Sequence, residues 1–312
     1  MKNLVMFVLG VLVLLSGCSG RKKSGSSDTP TSGTIKISVD EALKPLVEAE
    51  IFVFTSLYTN AHIEAIYCSE EEAIDLLLKD SVRMAITTRK LVKSEEDVLE
   101  KVKIKAHQVN IALDGAALIV HPENPDTVMT IDQLKGVLTG TIKKWNQLSK
   151  TSKATTINVV FDQPNSGIIR YLNDSIVPLK TLPENCFAVK NNAAVIDYVK
   201  QHPEALGLID VSWISDEDDS TTNVFLQSIK VVGLSKVEEG EYFKPYPAYL
   251  SLREYPLLRN VQMISREVTT GLASGFIAFV ASDKGQRIVL KSGLVPATMP
   301  LRIVEVNRAP FK

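Results

Sequence analysis

The feature that most constrains this chain is a regular alternation of short β-branched runs with stretches of helical periodicity, which begins at residue 34. Thr34–Val39 (TIKISV) is typical of a strand, and residues 41–57 then place apolar side chains at helical spacing. His62–Tyr67 (HIEAIY) alternates like a second strand and Val82–Thr87 (VRMAIT) forms a third, with a helix through Leu78 between them. Strands and helices that alternate at this spacing predict a parallel sheet covered by helices.

The same layout returns in a second α/β unit, although the sequence itself does not repeat. Val109–Val120 (VNIALDGAALIV) is a long apolar run, and Ile157–Phe161 and Ala205–Asp210 predict further strands. Helical patterns over residues 130–138 and 165–176 lie between these strands. A chain of 312 residues is long enough for two domains or for one domain with two lobes.

Beyond these two units the pattern is less regular. Ile229–Leu234 predicts a strand, and Pro245–Leu252 (PYPAYLSL) predicts an extended segment. Thr269–Ala281 predicts a strongly amphipathic helix, and Gly285–Leu290 continues the helical pattern. These elements complete a mixed α/β protein.

The N-terminus carries a segment that is typical of export. Leu4–Leu15 is an almost unbroken apolar run after a short basic start, and it is too short to span a bilayer comfortably. It ends in Leu15-Ser16-Gly17-Cys18, which resembles the lipobox of bacterial lipoproteins; the alternative is an accidental or buried cysteine. We therefore expect a signal peptide over residues 1–18, a lipid on Cys18, and a polar tether over residues 19–33. This predicts a cell-envelope protein that is anchored to a membrane and faces the periplasm or the exterior.

Charge and composition exclude several other classes of function. The formal net charge of -1 argues against a nucleic-acid binder, whose affinity would depend on a basic face. The Ser166 region lacks the G-x-S-x-G of a nucleophile elbow, and the chain has no Gly-rich phosphate loop. The 4 histidines are scattered without ligand spacing, so we expect no metal and no cofactor. An exported protein permits a disulfide between Cys68 and Cys186, but we place these residues in different lobes and expect two free thiols.

Three strand ends run directly into polar helix starts, at Val39-Asp40-Glu41, Cys68-Ser69-Glu70 and Asn165-Ser166-Gly167. The N-terminus of a helix exposes unpaired N–H groups and carries partial positive charge, which stabilises an oxyanion. Ligands of open α/β sheets bind beyond the carboxyl ends of the strands. Each serine taken singly is better explained as an ordinary N-cap. The three starts together favour an anion site in a cleft between two lobes.

Several motifs in the same order resemble the phosphate-binding proteins of bacterial phosphate ABC transporters. Asp114–Pro125 (DGAALIVHPENP) is similar to the D-G-x-A-hydrophobic-V-x-x-x-N-P segment of that family. The helix region Ile131–Leu148 follows it, and Tyr255-Pro256-Leu257 and Gly285–Ala297 (GQRIVLKSGLVPA) are similar to the family's C-terminal part. The positions of the helix region that match the family are Leu134, Gly140 and Trp145.

The resemblance implies a type II periplasmic-binding-protein fold, in which two Rossmann-like α/β lobes are joined by hinge strands and close on phosphate. We expect one lobe to comprise residues 34–110 and 235–312 and the other to comprise residues 111–234. The hinge segments are then expected near Ile111–Leu118 and Val224–Leu234. The implied function is that of a monomeric, lipid-anchored protein that captures inorganic phosphate and delivers it to an ABC permease, without catalysis. The alternatives are a binder of sulfate, tungstate or molybdate, and a surface sensor or interaction protein without a transport role.

The site residues that the resemblance implies show clear departures from the family. Its Ser-Gly-Thr helix start matches Ser166, Gly167 and Ile168, so the threonine hydroxyl is missing. At the third strand end, where the family usually has an aspartate, this sequence has Thr88 followed by Arg89. The position of the family's arginine is occupied here by Asp162. The predicted ligand-binding residues are Val39, Asp40, Ser69, Thr88, Arg89, Asp162, Ser166, Gly167 and Arg170.

These departures predict a swapped arrangement of charge. Arg89 or Arg170 would supply the cation, and Asp40 or Asp162 would accept the proton of phosphate. A carboxylate that faces the anion repels sulfate, which has no proton to offer, and so selects phosphate. The alternative is that Arg89 and Asp162 form an ion pair at the surface or between the lobes.

Overall fold

The computed structural model of the protein describes residues 28–149, 152, 155–178, 181–215 and 227–300. Its strands are β1 (Gly33–Asp40), β2 (Ala61–Cys68), β3 (Met84–Thr87), β4 (His107–Val120), β5 (Val128–Thr130), β6 (Asn158–Phe161), β7 (Cys186–Ala188), β8 (Ala205–Asp210), β9 (Lys230–Val231), β10 (Gly233–Ser235), β11 (Leu258–Ser265) and β12 (Val295–Pro296). Its helices are α1 (Lys44–Leu57), α2 (Glu70–Leu78), α3 (Lys93–Lys101), α4 (Ile131–Leu138), α5 (Gly167–Ser175), α6 (Asn192–Gln201), α7 (Pro247–Ser251), α8 (Leu272–Val280) and α9 (Asp283–Lys291). Short 3-10 turns lie at Glu41–Leu43, Trp145–Gln147 and Val211–Trp213.

The first half of the main sheet, in the order β2-β1-β3-β11-β4, forms the first lobe. Strand β1 pairs in parallel with β2 and β3, in a register that places Asp40 opposite Cys68 and Val39 opposite Ile86. The carboxyl ends of these three strands therefore lie at one edge. Ser69 caps α2 there by accepting a hydrogen bond from the Glu72 N–H, as the strand-then-serine pattern predicts. The predicted parallel βαβαβ unit is confirmed.

Strand β4 carries the sheet from one lobe into the other. Residues 107–115 pair with β11, and residues 116–120 pair with β8, so the partner strand changes between Gly115 and Ala116. The second half then continues in the order β4-β8-β6-β7 and forms the second lobe. The polar Asp114 does not end this strand, because Arg259 on the neighbouring β11 neutralises its carboxylate inside the sheet. The observed architecture confirms the predicted α/β fold with two lobes joined by a hinge strand.

Each lobe has its own hydrophobic core, and the chain contributes to these cores out of sequence order. The first lobe packs Ile37, Phe54 and Phe276 in one cluster, so α8 joins the N-terminal strands. The packing departs from the predicted lobe boundaries in two places. Ile111 and Ala112, which were assigned to the second lobe, pack in the core of the first. Leu250 and Tyr255, which were assigned to the first lobe, pack in the core of the second. The physical reason is that this segment lies against the second half of β4, where the Tyr255 hydroxyl donates to the Ala116 carbonyl over 2.7 Å.

Three other local predictions differ from the structure. Pro245–Leu252 was predicted to be extended, but Pro247–Ser251 is a short helix, with Pro247 at its first turn where a missing N–H costs nothing. Ile229–Leu234 was predicted to be one strand, but it forms two: β9 pairs with β4, whereas β10 pairs with β5 in a separate two-stranded sheet. The predicted helix at Thr269 starts later, at Leu272.

Several expectations concern residues 1–27 and 216–226, which lie outside the described residues. They include the signal peptide, the lipid on Cys18, most of the tether and the start of the second hinge segment. Within the part of the chain that the structure describes, no helix combines the length and apolarity needed to cross a membrane. Cys68 is buried in the first lobe, Cys186 is partly exposed in the second, and both are free thiols.

Candidate functional site

The two lobes contact each other across a cleft at the carboxyl ends of β1, β2 and β3. From the second lobe, α5 points its N-terminus into this cleft, with Ser166 as its cap and Gly167 as its first residue. A Cβ atom placed on Gly167 would lie 2.6 Å from Asp40 Oδ2 and 3.1 Å from Thr88 Oγ1. Since a Cβ atom at 2.6 Å would require the Asp40 side chain to shift, the lobes meet most closely at this glycine. The structure thus brings Asp40, Thr88 and Gly167 together, as the sequence predicts.

The carboxylate of Glu70, at the start of α2, lies at the centre of the cleft with its side chain only 2% exposed. Its Oε1 accepts hydrogen bonds from the Thr88 N–H at 2.8 Å and from the Thr88 hydroxyl at 2.6 Å. Its Oε2 accepts a short charge-assisted bond from Arg170 Nε, and Arg89 Nε lies 3.7 Å from the same oxygen. Two guanidinium groups, one hydroxyl and one backbone N–H therefore surround a single carboxylate.

These contacts keep Glu70 ionised. Burial raises the pKa of its carboxyl, but the charge of Arg170 and the hydrogen bonds from Arg170 and Thr88 outweigh burial and hold the pKa below its ordinary value. The pair crosses the cleft, because Glu70 belongs to the first lobe and Arg170 to the second. Sequence reasoning placed Glu70 in the first turn of a helix, but it did not include this residue in the site.

The two predicted cations are both already paired with carboxylates. Arg89 makes a two-pronged pair with Glu95, with both N···O distances at 2.7 Å, and this pair raises the pKa of Arg89. Arg170 also reaches Asp174, one turn along its own helix, at 3.2 Å. The predicted alternative of an ion pair between Arg89 and Asp162 is wrong among the described residues, because Arg89 turns towards Glu95 and Glu70 instead.

The two predicted proton acceptors, Asp40 and Asp162, are buried on opposite sides of the cleft. Asp40 Oδ1 accepts from the Ala42 N–H at 3.2 Å, while its Oδ2 and Asp162 Oδ1 have no hydrogen-bond partner in the described part of the chain. Burial raises the pKa of Asp40 well above its ordinary value, and the nearby charges of Glu70 and Asp162 raise it further. Burial also raises the pKa of Asp162, against hydrogen bonds from the Ser166 side chain and the Gln163 backbone that lower it. Both carboxyls are therefore suited to holding a proton.

The remaining predicted residues have structural roles that the sequence had left open. Val39 is fully buried, and its side chain packs in the core of the first lobe. Ser69 Oγ accepts from the Glu72 N–H at 3.3 Å, and Ser166 Oγ accepts from the Ile168 N–H at 3.2 Å. Both serines act as ordinary N-caps, and Ser166 also lines a cavity of ≈ 560 Å³ beside the Glu70–Arg170 pair.

A second group of hydrogen bonds joins the lobes beside the cleft. Glu41 Oε2 accepts from the side chain of Asn192 at 2.9 Å and from its backbone N–H at 3.2 Å. The Ala42 carbonyl accepts from Trp213 Nε1 at 3.0 Å. Burial raises the pKa of Glu41. The residues that follow β1 are thus attached to the second lobe by hydrogen bonds as well as by the contact at Gly167.

Arg259, which sequence reasoning missed, lies at the centre of the hinge. Its Nη2 is 2.7 Å from Asp114 Oδ2 and 2.6 Å from Asp210 Oδ2, with all three side chains fully buried. Burial would lower the pKa of Arg259, but the two carboxylates raise it above its ordinary value. Burial and the neighbouring Asp114 raise the pKa of Asp210, as expected where one cation faces two carboxyls. The available signal was a single charged residue in each of the strand sequences LRNVQMIS and ALGLID.

Comparison with known proteins agrees with this architecture. The family model described as a PBP superfamily domain matches residues 24–284. The phosphate-binding protein PstS of Bacillus subtilis (strain 168) is 25% identical over 312 residues, which covers 95% of this chain and 94% of that protein. The PstS protein of Pseudomonas aeruginosa PAO1 is 23% identical over 305 residues, covering 93% of this chain and 86% of that protein.

Two solved structures show the same fold. A putative phosphate ABC transporter substrate-binding protein from Clostridium perfringens, solved with bound phosphate, has a TM-score of 0.72 at 23% identity and covers 85% of this chain and 100% of that chain. An ABC-type phosphate transport receptor from Vibrio cholerae has a TM-score of 0.62 at 21% identity and covers the same shares, 85% and 100%.

Proposed function

Because the chain belongs to the PBP superfamily, we propose that it is a solute-binding protein that captures inorganic phosphate between its two lobes and delivers it to an ABC permease. Relatives that match almost the whole chain are phosphate-binding proteins, and solved structures of the same fold include one with bound phosphate. The cleft lies where ligands of open α/β sheets bind, beyond the carboxyl ends of the strands.

The observation that carries the proposal is the set of donors around the Glu70 carboxylate. The Thr88 N–H, the Thr88 hydroxyl and the guanidinium of Arg170 all point at one oxyanion group, with Arg89 close behind. Charge-assisted bonds from arginine and bonds from backbone N–H groups are the contacts by which proteins hold phosphate. The cleft therefore has the donors that phosphate needs, although the arginines differ in position from the family's.

Asp40 and Asp162 provide the basis for selecting among oxyanions. Each has a buried carboxyl oxygen without a partner in the described residues, and burial raises the pKa of both groups. In its ionised form, either carboxyl would accept a hydrogen bond from the proton of hydrogen phosphate and would repel fully ionised sulfate. We propose Arg89 and Arg170 as the cations and Asp40 and Asp162 as the proton acceptors. A binder of another oxyanion is the second candidate, because the usual arginine position holds Asp162.

We also propose how the protein is placed in the cell. The N-terminal apolar run that ends at Cys18 supports export and lipidation, so the folded part is held at a membrane and faces the periplasm or the exterior. We further propose that the protein acts as a monomer. We also propose that it binds its solute without turning it over, in keeping with relatives that are phosphate-binding proteins. Transport assays with the permease distinguish this role from that of a sensor, which would bind phosphate without supporting uptake.

The test is calorimetry and a thermal-shift panel on the purified protein with phosphate, arsenate, sulfate and tungstate. We expect phosphate to raise the melting temperature and sulfate to leave it unchanged, because a ligand stabilises the state it binds. Arg170→Ala and Arg89→Ala are expected to weaken phosphate binding at least about tenfold, the order of one charge-assisted contact. The control is Arg287→Ala, whose side chain is 72% exposed and pairs only with Asp283 among the described ion pairs. No response to any of the four anions would refute the proposal.

A further inference from the structure

The surroundings of Glu70 differ from those of an ordinary ion pair in that both carboxylate oxygens are fully engaged by groups of an anion site. Oε1 takes two bonds from Thr88, at 2.8 and 2.6 Å, and a longer one from Arg170 Nη2 at 3.4 Å. Oε2 takes the short bond from Arg170 Nε. Arg170 Nη2 in turn donates to the Thr88 hydroxyl oxygen over 3.2 Å, so the donors also hold each other in place.

These donors are the same groups that the proposed function assigns to phosphate, so the two anions cannot use them at once. A phosphate that entered beside an ionised Glu70 would place two negative groups in contact, next to the buried carboxyls of Asp40 and Asp162. The pKa of Glu70 lies below its ordinary value, so protonation does not remove the conflict near neutral pH. Free phosphate must therefore displace the side chain of Glu70.

We propose that the Glu70 carboxylate is a tethered anion that occupies the anion donors of the cleft, holds the lobes together without a solute, and competes with phosphate. This inference rests on the proposed function only for the identity of the competing anion. The connection between the lobes is direct, because Glu70 extends from α2 of the first lobe and Arg170 from α5 of the second. The cavity of ≈ 560 Å³ beside the pair, which both residues line, leaves room for the displaced side chain.

A tethered group that competes for the donors reduces the apparent affinity for phosphate. The reduction is in proportion to the fraction of time that the donors are free. Removing the carboxylate should therefore strengthen phosphate binding, which is the opposite of what truncating a ligand-binding residue does. It should also let the lobes separate when no phosphate is present. Glu70 is in this sense a residue that determines specificity, since an anion must bind the donors better than a carboxylate already in position.

The experiment measures phosphate binding by calorimetry in the wild-type protein, Glu70→Ser and Glu71→Ser. Serine at 70 removes the charge and leaves space for the anion. Glu71→Ser is the matched control, because it removes the same charge from the next residue of α2, whose side chain is exposed. Glu70→Gln, which keeps the volume of the side chain, is included in case the shorter side chain impairs folding. A second readout is the distance between spin labels on the two lobes, with and without phosphate.

We expect Glu70→Ser to bind phosphate at least about tenfold more tightly than wild type, which corresponds to one charge-assisted contact, with Glu70→Gln in between and Glu71→Ser close to wild type. If Glu70→Ser binds phosphate and the wild-type protein does not, the result would support the tethered anion and refute phosphate capture by the wild-type protein. Equal or weaker binding by Glu70→Ser, or an equal gain in Glu71→Ser, would overturn the tethered anion and leave phosphate capture standing. Failure of all variants to bind phosphate would overturn both proposals.

Discussion

Two arginines of this protein each contact two carboxylates, but the carboxylates belong to different parts of the fold. Arg259 is fully buried, and it holds Asp114 and Asp210 on adjoining strands of one sheet. Arg170 is 29% exposed in its side chain, and it reaches Glu70 in the opposite lobe. The first cluster lies in the hinge, and the second crosses the cleft.

The difference shows which ion pairs of this fold are able to separate. The Arg259 cluster joins β11, β4 and β8, which are hydrogen-bonded neighbours, so separating its charges requires breaking the sheet. The Arg170–Glu70 pair joins two helix starts and separates when the lobes move apart as rigid bodies. We therefore expect changes at Arg259 to alter the stability of the fold, and changes at the cleft to alter the relation between the lobes.

The largest expected effect is that of Arg259→Leu. It leaves Asp114 and Asp210 buried without their cation, and we expect a loss of about 3–5 kcal/mol in the free energy of unfolding, measured by urea denaturation. Arg287→Leu, which removes an exposed arginine from a helix surface, is the control and should change stability by less than about 1 kcal/mol. Equal effects of the two substitutions would show that the hinge cluster contributes no more than a surface pair.

A third case is a buried carboxyl group that has no arginine beside it. Glu50 lies on the buried face of α1, it is 1% exposed, and neither of its oxygens has a partner among the described residues. Burial raises its pKa from 4.5 to about 9. Because the folded-state pKa is raised, this carboxyl contributes most below pH 4.5, and its contribution is lost as the pH rises towards about 9.

We therefore expect Glu50→Gln to stabilise the protein by about 3 kcal/mol at pH 7, since pH 7 lies about 2.5 units above the ordinary pKa of 4.5 and each unit corresponds to about 1.4 kcal/mol. The gain should shrink towards pH 4 and grow towards pH 9. Urea midpoints measured at several pH values test this. A gain that does not vary with pH would show that Glu50 does not titrate as its burial implies. The exposed Glu71→Gln is the control and should leave the pH profile unchanged.

Gly167→Ala tests the contact between the lobes. Its Cβ would lie 2.6 Å from Asp40 Oδ2 and 3.1 Å from Thr88 Oγ1, which costs about 1–2 kcal/mol if the lobes stay together. We expect the lobes to move apart instead, with a larger radius of gyration in solution scattering and little loss in the cores. Gly233→Ala, whose Cβ has its nearest neighbour at 3.4 Å, is the control. An unchanged radius of gyration would show that the cleft adjusts around the added methyl group.

The smallest effect is expected for Asp174→Ala. Asp174 pairs with Arg170 one turn away on α5 and is 52% exposed in its side chain, so water screens the pair. We expect a change of at most about 0.5 kcal/mol in unfolding free energy and no change in the distance between the lobes. A double-mutant cycle with Arg170→Ala measures the coupling. A coupling above 1 kcal/mol would mean that α5 itself, rather than the cleft, depends on this arginine.

Prediction from sequence succeeded where a local pattern carries the information. Strands β1, β2 and β3 and the caps of α2 and α5 follow from periodicity and from a polar residue at the helix start. The position of the cleft followed from the same pattern, and the structure brings Asp40, Thr88 and Gly167 together there. The predicted roles of Arg89, Arg170, Asp40 and Asp162 in binding stay predictions.

Prediction failed where a distant partner decides the outcome. The segment of α7 was predicted to be extended from its pattern of proline and tyrosine residues. That pattern does not reveal that the segment packs against the second half of β4. Glu70 was missed because its sequence context is that of any acidic residue in a first helical turn. The residues that engage it, Thr88 and Arg170, are 18 and 100 positions away in the chain.

By itself, then, the sequence determined the alternation of strands and helices, the two α/β units and the three polar helix starts, because these depend on neighbours within a few residues. The tertiary structure alone decided which charges meet. It placed Arg259 between Asp114 and Asp210, and it placed Glu70 among the donors of the cleft. The physical reason is that the pairing of charges depends on distances set by the packing of both lobes, and no local pattern of residues specifies those distances.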